Sequence, residues 1–294
     1  MKSHPFKKLD AFATATSGGN PAAAVYLDTF DGITEAEMQR IARELKGFVC
    51  EIGFIARLAP DAFRLRYFSS EKEVQFCGHA TIAIMHDLVS HDADLAARPR
   101  ILLHTNKGVL PVENREGAVY IHAPEPVFAA CDIDPAEACE ALGIPGSALD
   151  PSLEAGIVNA GNQTLCLPLR TAREVAAASP DFRTLLAFCE RQALDVVTVF
   201  SRDTAHPENR FRTRVFAAPF GYLEDPATGS GNAALGYHLH RLGAWDGAPV
   251  RIEQNADLAN PNIVRLESIP DPRHGIRVLF GGGAVLRIDG RYWI

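Results

Sequence analysis

A glutamate stands inside an otherwise apolar run, Phe48-Val49-Cys50-Glu51-Ile52-Gly53-Phe54. A carboxyl among such neighbours is desolvated, which raises its pKa toward the range useful for moving protons near neutral pH. Strand alternation also allows a plainer reading, a glutamate that faces solvent. A second set of chemical groups lies at Phe76-Cys77-Gly78-His79-Ala80-Thr81, where a cysteine and a histidine flank a glycine at the mouth of an apolar helix. An imidazole there can give or take a proton or hold a carboxylate, and a thiol at a helix N-terminus can ionise below its usual range. The structural alternatives are a capping histidine and a small packed cysteine. Cys77 with His79 is also a weak hint of zinc, but no second pair with ligand spacing follows. The third stretch is Glu224-Asp225-Pro226-Ala227-Thr228-Gly229-Ser230-Gly231-Asn232. Its small residues bring backbone N–H groups within reach of an anion at the positive end of a helix. By residue type alone Asp225 is an N-cap with Pro226 at the first helical position; a start one turn later, at Thr228 or Ser230, is the alternative. Gly229 and Ser230 are likewise explicable as helix-start chemistry. The Gly-Ser-Gly turn is weak evidence for phosphate, since no lysine follows it and no Gly-x-Gly-x-x-Gly fingerprint is present.

The elements that must position these groups occur twice. Phe63-Arg64-Leu65-Arg66-Tyr67-Phe68 and Phe211-Arg212-Thr213-Arg214-Val215-Phe216 share a Phe-Arg-x-Arg-x-Phe pattern. Each reads as a strand, followed by a turn and then by a small-residue entrance into an apolar helix. A unit this long means two similar halves rather than a solenoid. Arg66 and Arg214 are candidate carboxylate binders if their side chains point inward, although strand arginines more commonly face out. Thr34 with Glu37 forms a capping box ahead of a helix that carries Met38, Ile41, Ala42 and Leu45 on one face. Asp134-Pro135 opens another helix, which stops at Gly143. Strands outnumber helices and hairpins dominate. The expected fold is therefore α+β, with two similar halves, each a mostly antiparallel sheet rolled around a central helix. Pro124-Glu125-Pro126 suits an extended crossing segment. The halves are expected at 1–117, completed by residues from about 281 to 294, and at 118–280.

The bulk composition narrows the function classes. The chain has 294 residues, 47% hydrophobic and 22% charged, enough for real cores in two domains or one large one. A formal net charge of −7 argues against a general nucleic-acid or anionic-membrane surface. The opening Met1–Lys8 lacks the apolar run of a signal peptide, and no apolar stretch is long enough to span a membrane. The six cysteines are scattered without metal-type pairing and read as reduced thiols of a cytoplasmic protein.

At these same residues the chain resembles the PhzF family, the phenazine-biosynthesis-type isomerases, which share a fold with diaminopimelate epimerase. The matches are Asp10-Ala11-Phe12, Gly19-Asn20-Pro21, the Phe76–Thr81 run and Glu224–Ser230, in family order. The resemblance implies two like halves with the active site in the cleft between them. It also implies an isomerase that needs no cofactor and no metal and moves a proton on a small carboxylate-bearing substrate. Carried over by position, it makes Glu51 the general acid/base, with His79 and Asp225 assisting proton transfer or holding the substrate. It assigns substrate binding to Gly78, Ser230, Gly229, Cys77 and Asn20. A homodimer is compatible with such an enzyme. This chain also departs from the family: the Glu51 segment is longer, Ser69-Ser70 replaces a common Thr-Pro, and Gln254–Pro261 matches a family segment poorly. The phenazine substrate itself is therefore not implied. Related racemases use two cysteines, one at each helix entrance, whereas the second entrance here carries Thr228. A thiol-using epimerase that pairs Cys77 with Glu51 is the alternative, followed by a catalytically silent ligand-binding protein on the same fold.

Overall fold

The computed structural model describes residues 2–294, which divide into two compact units. One unit comprises the chain up to Ile121 together with Gly281–Ile294; the other is His122–Phe280. The fold is mixed α+β. Among the described residues no helix is long and apolar enough to cross a membrane.

In the first unit the strand Ser3–Ala11 lies between Ala284–Trp293 and Asn20–Leu27. The sheet continues through Glu51–Ala59, Ala62–Ser69, Arg100–Thr105 and Gly108–Arg115 to Ala118–His122. Neighbours are antiparallel except at two joints, Asn20–Leu27 with Glu51–Ala59 and Ala62–Ser69 with Arg100–Thr105. A parallel joint needs a crossover long enough to return the chain, and a helix supplies it each time. The helix Glu35–Glu44 lies in the first crossover and Gly78–His91 in the second. Thr34 caps the former in the expected box with Glu37.

The second unit repeats this order. Val127–Ala129, Gly156–Asn159, Gln163–Pro168, Val196–Ser201, Phe211–Phe216, Val250–Gln254 and Asn262–Asp271 are successive neighbours. Its two parallel joints hold the helices Ala172–Ala177 and Phe182–Arg191 in one crossover and Gly229–Arg241 in the other. The helix Pro135–Leu142 ends on Gly143 at φ +63°, a left-handed position where a side chain is strained.

The helices Gly78–His91 and Gly229–Arg241 differ from the rest in being buried nearly all round. A helix without a polar stripe has no face to give to water and must be enclosed. The first packs on the strands Ser3–Ala11, Asn20–Leu27, Glu51–Ala59 and Ala284–Trp293; the second packs on the strands of its own unit, from Gly156–Asn159 to Asn262–Asp271.

Three boundaries differ from the sequence reading. Ala118–Ile121, expected to open the second half, lies in the first unit, because the strand pairs antiparallel with Gly108–Arg115 across the Glu116-Gly117 turn. Asn20 and Pro21, expected in a turn, open a strand opposite Ala11 and Asp10. Glu51, expected inside a strand beginning at Phe48, is that strand's first residue.

Candidate functional site

In the first unit the parallel and antiparallel partners of Glu51 are Ala22 and Ser69, which fixes the carboxyl beside the helix start at Cys77–His79. Glu51 is half-buried, and its Oε2 lies 3.4 Å from Nε2 of His79. The Cys77 Sγ lies 3.5 Å from Nδ1 and 3.9 Å from Nε2 of the same ring. The imidazole donates to the Pro21 carbonyl, and burial pushes its pKa down to about 4. His79 is therefore neutral at neutral pH. With its one N–H given to Pro21, its other nitrogen is an acceptor. Asn20 is buried directly before Pro21. Gly19 ahead of it has φ +66°, and a Cβ there would lie 2.7 Å from the Ala11 carbonyl oxygen. The helix start is held from behind: Thr81 Oγ1 donates to the Cys77 carbonyl at 2.7 Å and lies 2.6 Å from the Tyr67 hydroxyl.

The second unit corrects the reading of Asp225. Glu224–Asp225 is a short strand opposite Val215 and Phe216, and the helix begins only at Gly229. Asp225 is therefore no N-cap, because pairing with Phe211–Phe216 holds it extended. Thr228 occupies the cap position, but its side chain makes no capping bond; its hydroxyl instead accepts from Gln254 Nε2 at 3.1 Å. Gln254 is fully buried. It also donates to the Asp225 carbonyl at 2.8 Å, and its Oε1 accepts from the Thr228 N–H at 2.9 Å and from Asn232 Nδ2 at 2.7 Å. Ser230 is half-buried, with Oγ accepting from Asn162 Nδ2 at 3.2 Å. Gly229 has a packing cause of its own, since a Cβ there would lie 2.3 Å from the Phe280 ring.

Aligning the repeat places Cys77, Gly78, His79 and Thr81 opposite Thr228, Gly229, Ser230 and Asn232. The correspondence extends to hydrogen bonds: Asn232 Nδ2 reaches the Thr228 carbonyl at 2.7 Å as Thr81 Oγ1 reaches that of Cys77. Gly161-Asn162, with Gly161 at φ +115°, corresponds to Gly19-Asn20. Side chains cap the helices that begin after Thr34, Asp92, Asp134, Thr171 and Asp181. At the two central helices the cap residues, Cys77 and Thr228, make no side-chain capping bond. The positive end of a helix dipole favours an anion.

Arg66 and Arg214 do not serve as free carboxylate binders. Arg66 is forked onto Glu73 at 2.6 Å, with Glu35 at 2.8 Å, and Arg214 onto Glu224 at 2.7–2.9 Å. Sequence reasoning missed Asn162 and Gln254. The Gly-Asn pair ahead of a strand, present twice, would have signalled Asn162. Gln254 lies in a stretch noted only as a poor family match.

The two repeated units, each with a buried helix whose uncapped start meets polar side chains, define the class of fold. Residues 9–290 match the family described as phenazine biosynthesis-like protein, and the chain belongs to that family. It is 31% identical over 269 residues, 89% of each chain, to the trans-2,3-dihydro-3-hydroxyanthranilate isomerase of Pseudomonas fluorescens. It is 29% identical over 290 residues, 97% of each chain, to the uncharacterized isomerase YfhB of Bacillus subtilis. The crystal structure of a Bacillus anthracis phenazine biosynthesis protein of the PhzF family matches over 100% of both chains, with a TM-score of 0.87 at 23% identity. The protein is an isomerase of this family.

Proposed function

We propose that this isomerase moves a proton on a small carboxylate-bearing substrate by general acid/base catalysis, without a cofactor, and that Glu51 is the acid/base. The observation that carries the reading is the Glu51 carboxyl 3.4 Å from a neutral His79 at the uncapped start of a buried helix. In this mechanism Glu51 carries the proton, because the buried imidazole keeps its one N–H on the Pro21 carbonyl and is reluctant to take a second proton. Glu51 can then deliver that proton to carbon and recover one from another carbon or from the opposite face. His79 holds the carboxyl in line. The N–H groups beginning at Gly78 stabilise a substrate carboxylate or a developing enolate-like charge. Asn20 and Cys77 complete substrate binding in the first unit; by the family resemblance Asp225 assists proton transfer, and Gly229 and Ser230 bind substrate at the corresponding helix start of the second. The Pseudomonas fluorescens relative supports the substrate class, since the substrate in its name is itself a carboxylate.

A second reading rests on the Cys77 thiol 3.5 Å from His79, which would serve a thiol-using epimerase. One experiment separates the two. Deuterium incorporation from solvent into a panel of small amino and unsaturated carboxylic acids is followed by mass spectrometry and NMR. Glu51→Gln is expected to lower exchange by about 10²–10⁴-fold with an essentially unchanged Tm, while Cys77→Ser weakens substrate binding without abolishing exchange. A fully active Glu51→Gln enzyme sinks the proposal; loss in both variants moves the assignment to the thiol-using epimerase.

A further inference from the structure

Among the described residues one group of three metal-ligating side chains converges, and it is Glu51, Cys77 and His79, with all donor atoms within 4.8 Å of one another. We propose that these three residues form an inhibitory site for a single thiophilic divalent cation, represented by Zn2+, whose occupancy removes the acid/base from use. The inhibitory consequence rests on the catalytic reading of Glu51; the binding itself does not.

Donor chemistry and spacing carry the inference. Zinc takes thiolate, imidazole and carboxylate ligands at about 2.0–2.3 Å, so tetrahedral ligand atoms stand about 3.3–3.7 Å apart. From His79 Nε2 the structure gives 3.4 Å to Glu51 Oε2 and 3.9 Å to Cys77 Sγ. The third edge, from Glu51 to Cys77, is within 4.8 Å, so side-chain movement of about 1 Å or less closes the set. The support behind the ligands is also in place. The imidazole donates to the Pro21 carbonyl, which is the outer contact that orients ligating histidines. Cys77 is buried and its backbone is anchored by Thr81. Three protein ligands leave the fourth position to water, the form of an open rather than a structural site. The charge balance is simple. Cys77 binds as thiolate and its proton goes to solvent, Glu51 binds as carboxylate, and the imidazole enters neutral. A carboxylate held on the metal can neither carry nor accept a proton. Soft divalent ions are favoured over Mg2+ and Ca2+, which prefer sets made of oxygen alone.

The test uses the full chain, reduced and free of oxygen, with Zn2+ competed against a chromophoric chelator and Co2+ as a spectroscopic probe. The expected result is one ion per chain and a near-ultraviolet thiolate-to-cobalt band. Cys77→Ser should remove that band. Cys77→Ser and His79→Gln should each weaken Zn2+ binding by at least about tenfold, since even outer contacts to metal ligands are worth that much. Cys50→Ser, which removes the exposed thiol next to Glu51, should change neither readout. Unchanged far-ultraviolet circular dichroism and Tm show that each variant is folded. A cobalt band that survives Cys77→Ser, a band lost in Cys50→Ser, or failure of Zn2+ to compete would each overturn the site. The exchange assay is then run with one equivalent of Zn2+ and after chelation. Reversible loss supports the inhibitory role. Binding through all three residues with exchange intact refutes that role, together with Glu51 as acid/base, and leaves the metal site standing. Glu51-dependent exchange in a protein that binds no Zn2+ refutes the metal site alone.

Discussion

His79 lies 3.4 Å from a carboxylate oxygen of Glu51, yet burial brings its pKa down from 6.5 to about 4, opposed only by the hydrogen bond to the Pro21 carbonyl. The consequence for stability has a definite sign. Between these two values the unfolded chain binds the proton and the folded chain does not, so stability falls as pH drops through this window and levels off below about pH 4. The loss is on the order of 3 kcal/mol. Urea midpoints measured across that range should decline more steeply for the wild type than for His79→Gln. Parallel profiles would show that His79 is not the group responsible. Only below about pH 4 does the folded enzyme protonate His79 and lose the neutral acceptor beside Glu51.

The supporting elements explain why some site residues are fixed by packing before any ligand is considered. Gly229 begins its helix against the face of Phe280, so Gly229→Ala should cost about 1–3 kcal/mol by overpacking. In a Phe280→Leu background the same substitution should cost clearly less, because the obstructing ring is gone; equal costs in both backgrounds would reject the steric explanation. Gln254 is a different kind of support. It satisfies a backbone N–H, a backbone carbonyl, a hydroxyl and an amide around the second entrance. Gln254→Leu removes these bonds from buried groups, leaving the Thr228 N–H without its acceptor, and a stability loss of about 2–3 kcal/mol in urea unfolding is expected. A loss below about 0.5 kcal/mol would mean that water replaces the amide at little cost.

At the scale of the whole molecule the two units share strand order, parallel joints and a buried helix, but they are not equally built. Arg212 and Glu253 form an ion pair at 2.7 Å in which both side chains are wholly buried. The pair ties Phe211–Phe216 to Val250–Gln254, and Arg212 also donates to the carbonyls of Asn255 and Asp257. The equivalent Arg64 in the first unit is exposed and lies over the Phe30 ring. Arg212→Met strands a buried carboxylate and should destabilise the protein by about 3–5 kcal/mol, with Glu253→Leu in the same chain recovering part of the loss. A double variant no more stable than the single would show that packing, not the stranded charge, dominates.

Much of this was legible in residue types because it is decided within a few residues along the chain. The Thr34–Glu37 capping box and the Gly143 stop are local. Glu51, Cys77, His79 and Asp225 stood out because polar groups beside apolar strands and helix mouths are costly unless used. The doubled Phe-Arg-x-Arg-x-Phe pattern gave the two like units, since equal sequence order carries equal strand order. Other features depended on pairing between segments far apart. Asp225 looked like a helix cap until Val215 claimed it for a strand. Arg66 and Arg214 looked available until Glu73 and Glu224, on paired strands, took their guanidinium groups. Glu51 meets His79 only because the parallel register with Asn20–Leu27 brings its strand to the helix mouth. Local propensity names the groups that can do chemistry; long-range backbone pairing decides which of them meet.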